Sequence, residues 1–167
     1  NLSCDHLDYH LDMEDYFAAK SQLFTRLSPL AVAVINGDDP FGQRLMRMTE
    51  ARRITYGLSR SADISAVDID LKLTQSSFTL KTNGEILPIT TRLIGQHNIY
   101  NILAAVAVCL SQGISLKEIK KGIEYAESVP GRLEPICCGQ DFYILVDYAH
   151  TEDALKNVLG SLRKISR

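Results

Sequence analysis

Asp5-His6-Leu7-Asp8-Tyr9-His10 brings two imidazoles and two carboxylates into six residues. Such a mixture suits a divalent metal ion. His6 and His10 stand four apart, as helical zinc ligands do, but without the glutamate of an HExxH pair. By spacing alone a solvated polar loop is the plainer reading of the segment. Lys20 is the second candidate, because it falls on the apolar face of a helix predicted over 12–27. A buried, unpaired ammonium is costly and tends to neutralise. A neutral amine can capture carbon dioxide, and the resulting carbamate offers two anionic oxygens to a hard metal ion. The plain alternative is a lysine whose stem covers apolar surface while its head reaches water.

Three further places carry chemistry. Gly95-Gln96-His97-Asn98-Ile99-Tyr100-Asn101 leads directly into a predicted helix. Asn98 is placed to cap that helix, and Asn101 lies one turn on. A side-chain amide presents a donor and an acceptor together, as the edge of an adenine requires. Asp147 ends a predicted strand and precedes Tyr148-Ala149-His150-Thr151. Ligands of open α/β sheets sit beyond the carboxyl ends of strands, where a carboxylate can bind ribose hydroxyls. Capping of the next helix is the other reading of Asp147, and Thr151 is equally able to cap it. Arg132, just after Pro130-Gly131, is either a mobile cation at a domain joint or a surface arginine.

These residues need elements to hold them. In the helix over 12–27, Asp12 is the expected N-cap. Met13, Tyr16, Phe17, Leu23, Phe24 and Leu27 form its apolar face. Leu30–Ile35 reads as a strand buried on both faces, closed by Asn36-Gly37-Asp38-Asp39-Pro40. A helix over 41–51 and a strand over 53–56 complete a β-α-β order, hence a parallel sheet. Asn83-Gly84 signals a hairpin. Setting Thr82 opposite Glu85 pairs Leu80 with Leu87 and Phe78 with Ile89, all apolar and on one face. Helices are expected over 98–111 and 116–127, the second opened by a Ser115/Glu118 capping box. Val129-Pro130-Gly131 breaks the pattern and marks a domain joint and hinge. Strands over 133–137 and 142–146 and a helix from about 152 follow.

The chain has 167 residues, 18 Lys+Arg against 20 Asp+Glu, and 46% apolar residues. That length buries a core without staples, and the near-neutral charge argues against nucleic acid as its main partner. No apolar run is long enough to span a membrane, and no signal peptide is visible. Cys4, Cys109, Cys137 and Cys138 fit no zinc spacing and are expected to be reduced thiols in the cytoplasm. The chain starts at Asn1 and ends within a helical pattern, so a piece of a longer polypeptide is expected.

Six segments occur in one order: residues 1–10, Tyr16–Lys20, Asn36–Pro40, Gly95–Asn101, Val129–Glu134 and Val146–Thr151. Together they resemble the Mur ligases of peptidoglycan synthesis, most closely the MurE type, over essentially the whole chain. The resemblance implies the later part of a mostly parallel-sheet α/β ATPase domain with antiparallel hairpin strands (residues 1–129). The start of a Rossmann-like C-terminal domain (130–167) would follow. It implies an ATP- and magnesium-dependent ligase, expected to be monomeric. That enzyme joins a diamino acid, meso-diaminopimelate or L-lysine, to UDP-N-acetylmuramoyl-L-Ala-D-Glu through an acyl phosphate. Carried over by motif, Lys20 is the carbamylated lysine and His6 a magnesium ligand. Asn98 and Asn101 face adenine, Arg132 and Asp147 approach the phosphates and ribose, and His150 lies near the nucleotide.

The sequence also departs from the family. Leu11 stands where Gly is usual and Glu152 where Pro is usual. No GxxxxGK(S/T) phosphate loop occurs in these residues. The family's uridine-binding domain would lie before Asn1, and the motif that reads the incoming amino acid past Arg167. This piece alone is therefore expected to be inactive. Competing readings are another Mur or folylpolyglutamate-type ligase, a metal-dependent hydrolase using His6, His10, Lys20 and a carboxylate, and a non-catalytic nucleotide-binding module.

Overall fold

The computed structural model describes residues 10–59 and 61–165. His6 and Cys4 lie outside the described residues. Helix α1 (Met13–Thr25) starts where the sequence places it, because the Asp12 carboxylate accepts from the amides of Glu14 and Asp15 at 2.9 and 2.8 Å. A cap of this kind stabilises a helix by about 1 kcal/mol. The buried face keeps Tyr16, Phe17, Phe24 and Leu27 of the expected one but shifts to include Ser21, leaving Leu23 and Lys20 exposed. The polar Ser21 sits near the centre of that face, so counting apolar residues misplaces it.

Strand β1 (Val32–Asn36) pairs in parallel with β2 (Arg52–Gly57), and helix α2 (Pro40–Met48) connects them. Asp39 caps α2, and Pro40 occupies its first turn, where the missing N–H costs nothing. The two alternating sides of β1 meet different helices. Ala33 and Ile35 pack with Phe17 of α1 and Leu45 of α2, whereas Val34 packs against the larger core on the other side. However, β1 is an edge strand, so Val32 and Val34 are only half-buried, short of the full burial expected.

Strand β3 (Ile64–Leu71) is also parallel to β2, although only six residues, 58–63, separate them. Parallel neighbours normally need a longer crossover. Here the strands are staggered and overlap only at Tyr56↔Ile64 and Gly57↔Ser65, so the short loop suffices. Asp63 closes it, accepting from the Thr55 amide and hydroxyl at 2.8 and 2.7 Å. Strands β4 (Ser76–Lys81) and β5 (Ile86–Thr91) then extend the same sheet antiparallel, in the order β1-β2-β3-β4-β5. The hairpin register is the expected one, with Phe78 opposite Ile89 and Leu80 opposite Leu87.

Helices α3 (Gln96–Ser111) and α4 (Leu116–Tyr125) cover one face of this sheet. Ile99, Leu103 and Val106 of α3 are fully buried against Phe78, Leu80 and Ile89. Each such side chain contributes about 1.5–3 kcal/mol of burial. The Ser115/Glu118 capping box opens α4 as expected. Beyond it lie a two-stranded antiparallel sheet, β6 (Glu134–Ile136) with β7 (Ile144–Val146), and helix α5 (Glu152–Ile165). Both strands are shorter than expected. Thr151, not Asp147, serves the start of α5, its hydroxyl accepting from the Ala154 amide at 3.3 Å. Phe142, Tyr143 and Leu159 are about 60% exposed, whereas Leu133 is only 1% exposed and anchors this part.

Candidate nucleotide cleft

The first turn of α3 is the centre of the candidate site. Gly95 stands at the N-cap with φ 92° and ψ 152°, a conformation almost confined to glycine. A Cβ there would lie 2.9 Å from the His97 ring and 3.2 Å from Leu133 Cδ1. Glycine thus lets the His97 ring and the Leu133 side chain close over the backbone from both sides.

Asn98 is not the N-cap, because the helix begins two residues earlier at Gln96. Its side chain is buried, with Nδ2 donating to the Ile94 carbonyl at 2.8 Å and Oδ1 accepting from Asn101 Nδ2 at 3.2 Å. Asn101 is exposed and keeps its carbonyl oxygen and its second amide hydrogen for a ligand. Asn98 orients and Asn101 presents.

Across from α3, Asp147 holds the turn that follows β7. Its carboxylate accepts from the amides of Leu133 and Ala149, both at 2.8 Å. The Tyr148 amide donates to the Gly131 carbonyl at 2.7 Å. These bonds hold Leu133 at φ 48°, a left-handed conformation unusual for a branched side chain. The Arg132 guanidinium lies 6.0 Å from the Tyr148 ring centroid. His97, Asn98, Asn101, Arg132 and Asp147 all line one cavity of about 400 Å³, with Val129 and the start of α5 completing its wall. That volume falls within the ordinary range for small-ligand sites.

The structure therefore brings together four of the sequence candidates, Asn98, Asn101, Arg132 and Asp147. His150 does not line the cavity; its Nδ1 lies 2.8 Å from the Tyr148 carbonyl and its ring packs edgewise on Tyr148. Lys20 is exposed on α1 with Nζ 4.5 Å from the Tyr16 ring centroid, so the burial expected for it is absent. His10 stacks on the same ring and is 3.0 Å from Asp15. Among the described residues no three His, Cys, Asp or Glu side chains converge on a common point.

His97 is the cleft residue that the sequence reading passed over. Its place between Gly95 and Asn98 was visible, but nothing in the spacing showed that its ring would face a later segment. Burial pushes its imidazole below the ordinary value of 6.5, the Asp147 carboxylate pulls it back up, and the Arg132 cation pushes it down. The unfolded chain therefore takes up this proton first. The stability associated with neutral His97 is present above about pH 6.5 and declines as pH falls toward the lower folded midpoint. In an NMR titration His97 should show a midpoint below 6.5. Asp147→Asn should lower it further and Arg132→Gln should raise it. A midpoint at 6.5 that neither variant moves would contradict this electrostatic arrangement.

A model of the Mur ligase middle domain matches residues 1–109. The chain belongs to the Mur ligase family. A UDP-N-acetylmuramoyl-L-alanyl-D-glutamate–2,6-diaminopimelate ligase of Geobacter metallireducens is 46% identical over 99% of this chain and 34% of its own length. The crystal structure of MurF from Acinetobacter baumannii superposes with a TM-score of 0.88 at 25% identity, covering 98% of this chain and 36% of that one. A solved UDP-N-acetylmuramoyl-L-alanyl-D-glutamate–2,6-diaminopimelate ligase gives a TM-score of 0.82 at 33% identity, over 99% and 34% of the two chains. This Mur ligase chain spans about a third of the length of the curated relatives it matches. No helix among its described residues is long and apolar enough to cross a membrane.

Proposed function

We propose that this chain is the nucleotide-gripping part of a cytoplasmic, ATP-dependent amide ligase. The enzyme would add a diamino acid, 2,6-diaminopimelate by the names of its relatives, to UDP-N-acetylmuramoyl-L-Ala-D-Glu. Residues 1–129 would belong to its central domain and 130–167 to the start of its C-terminal domain. The observation that carries the reading is the cleft between α3 and the turn after β7. Its donor set fits a nucleotide: the free amide edge of Asn101 suits adenine, and Asp147 keeps lone pairs for ribose hydroxyls. Arg132 supplies a cation for phosphate oxygens. ATP would supply the phosphoryl group that activates the acceptor carboxylate.

Within this reading the chain's own residues bind and orient. Asn98 fixes the rotamer of Asn101, and Asp147 ties the ligand side of the cleft to Leu133. Residues from both sides of Pro130-Gly131 meet the same ligand, so nucleotide binding would close the joint, as ligand-induced closure does in many enzymes. Lys20 would act as the carbamylated lysine, and His6 and magnesium would complete the reacting centre outside the described residues.

The test is a coupled assay on the full-length protein with UDP-N-acetylmuramoyl-L-Ala-D-Glu, ATP and either 2,6-diaminopimelate or L-lysine. Product mass and released phosphate are followed together. ATP-dependent amide formation with diaminopimelate is expected. Phosphate release without amide product, or no turnover with either amino acid, would refute the assignment.

A further inference from the structure

The segment Asn36-Gly37-Asp38-Asp39-Pro40 ends β1 and is one of the six segments of the family resemblance, but its spacing assigns Asp38 no role. In the structure the Asp38 carboxylate collects three donors. Oδ2 accepts from the Leu58 amide at 2.5 Å and from the Tyr100 hydroxyl at 2.9 Å, and Oδ1 accepts from the Ser59 amide at 3.2 Å. Asp38 follows β1, while Leu58 and Ser59 follow β2, so the carboxylate joins the carboxyl ends of both parallel strands. The loop itself is fixed, with the Gly37 amide donating to the Tyr56 carbonyl at 2.8 Å and the Asp38 amide to Asn36 Oδ1 at 3.0 Å. Gly57 makes room for it, since a Cβ there would stand 2.6–2.7 Å from all three carboxylate atoms.

The third donor, Tyr100, belongs to α3 and neighbours Asn101. One side chain of this turn is thus tied to the sheet while the next faces the cleft. We propose that Asp38 and Tyr100 are positioning residues for nucleotide binding. Their hydrogen bond sets the placement of the first turns of α3, and so of the Asn98–Asn101 pair, over the carboxyl ends of β1 and β2. The inference rests on reading the cleft as the nucleotide site. The internal geometry of the amide pair does not depend on this bond, because Asn98 is held by the Ile94 carbonyl. What the bond controls is where the pair stands.

Tyr100→Phe in the full-length protein removes the hydroxyl and keeps the ring. Gly57→Ala dislodges the same carboxylate from the other side. ADP binding is measured by calorimetry, and KM is measured for each of the three substrates. Both variants should weaken ADP binding and raise the KM for ATP by about tenfold or more, the size of one charge-assisted hydrogen bond. The KM values for the uridine nucleotide and the diamino acid should stay within about twofold, a selectivity that general destabilisation does not produce. Wild-type ADP affinity in Tyr100→Phe, or an equal rise in all three KM values, would overturn the positioning role and leave the cleft assignment standing. If the wild-type protein binds no ADP, the cleft assignment falls and this inference falls with it.

Discussion

Lys20→Ala in the full-length protein is expected to cut turnover by roughly a hundredfold or more, the usual scale for losing a group that stabilises reacting charge. The structure makes the test sharper. Lys20 is exposed with its ammonium over the Tyr16 ring. If that contact were its whole role, the variant would lose only about 0.5–1 kcal/mol of stability. Lys20→Arg would then be nearly silent, since guanidinium stacks on aromatic rings at least as well. In the carbamate reading the amine adds carbon dioxide and releases a proton, giving an anion. An arginine, always protonated, does not supply that nucleophilic amine, so Lys20→Arg should be as impaired as Lys20→Ala. Formate or chloride at high concentration should partly restore Lys20→Ala. Near-normal turnover of Lys20→Arg, at any bicarbonate concentration, would return Lys20 to its role as a surface contact for Tyr16.

Gly95→Ala should destabilise the chain by about 3 kcal/mol, combining strain at a glycine-only conformation with overpacking. The new methyl group would meet the His97 ring at 2.9 Å and Leu133 at 3.2 Å. Gly113 provides the control. It also has positive φ, 79°, but open space around a Cβ. Gly113→Ala should therefore cost only about 1 kcal/mol, the backbone penalty alone. Denaturant unfolding of the two variants separates the contributions. Equal losses would mean that Gly95 matters only for its backbone angle and that Leu133 and His97 do not press on it. The extra loss at Gly95 should be accompanied by weaker nucleotide binding, because His97 lines the cleft and the Leu133 amide is bonded to Asp147, which lines it too.

Much of this protein was legible in its residues. The Asp12 cap, the Ser115/Glu118 box and the Asn83-Gly84 hairpin are local devices, each satisfied by groups a few positions apart, and all three formed as read. The β-α-β order also held, as did the apolar face of α3, because period and turn chemistry are properties of short windows. The order of its motifs pointed to the Mur ligases, and the matching family model agrees.

What the sequence left open depended on contacts between distant segments. Spacing put Asn98 at the head of a helix, but the folded helix begins earlier, with Gly95 at its N-cap beside His97 and Leu133. Asp147 was equally a cap or a ligand residue until its bonds to Leu133 and Ala149 fixed it as the clasp of the turn, with capping left to Thr151. Lys20 lay on an apolar stripe by count, yet the helix rolled toward Ser21 and left it in solvent. Asp38 looked like one turn residue among five until Tyr100, 62 positions later, came within 2.9 Å. The sequence by itself determined the elements and the family, because those follow from local periodicity and motif order. Tertiary structure decided which side chains face the cleft and which hold the others in place, because a side chain's role depends on partners that only folding brings within hydrogen-bonding distance.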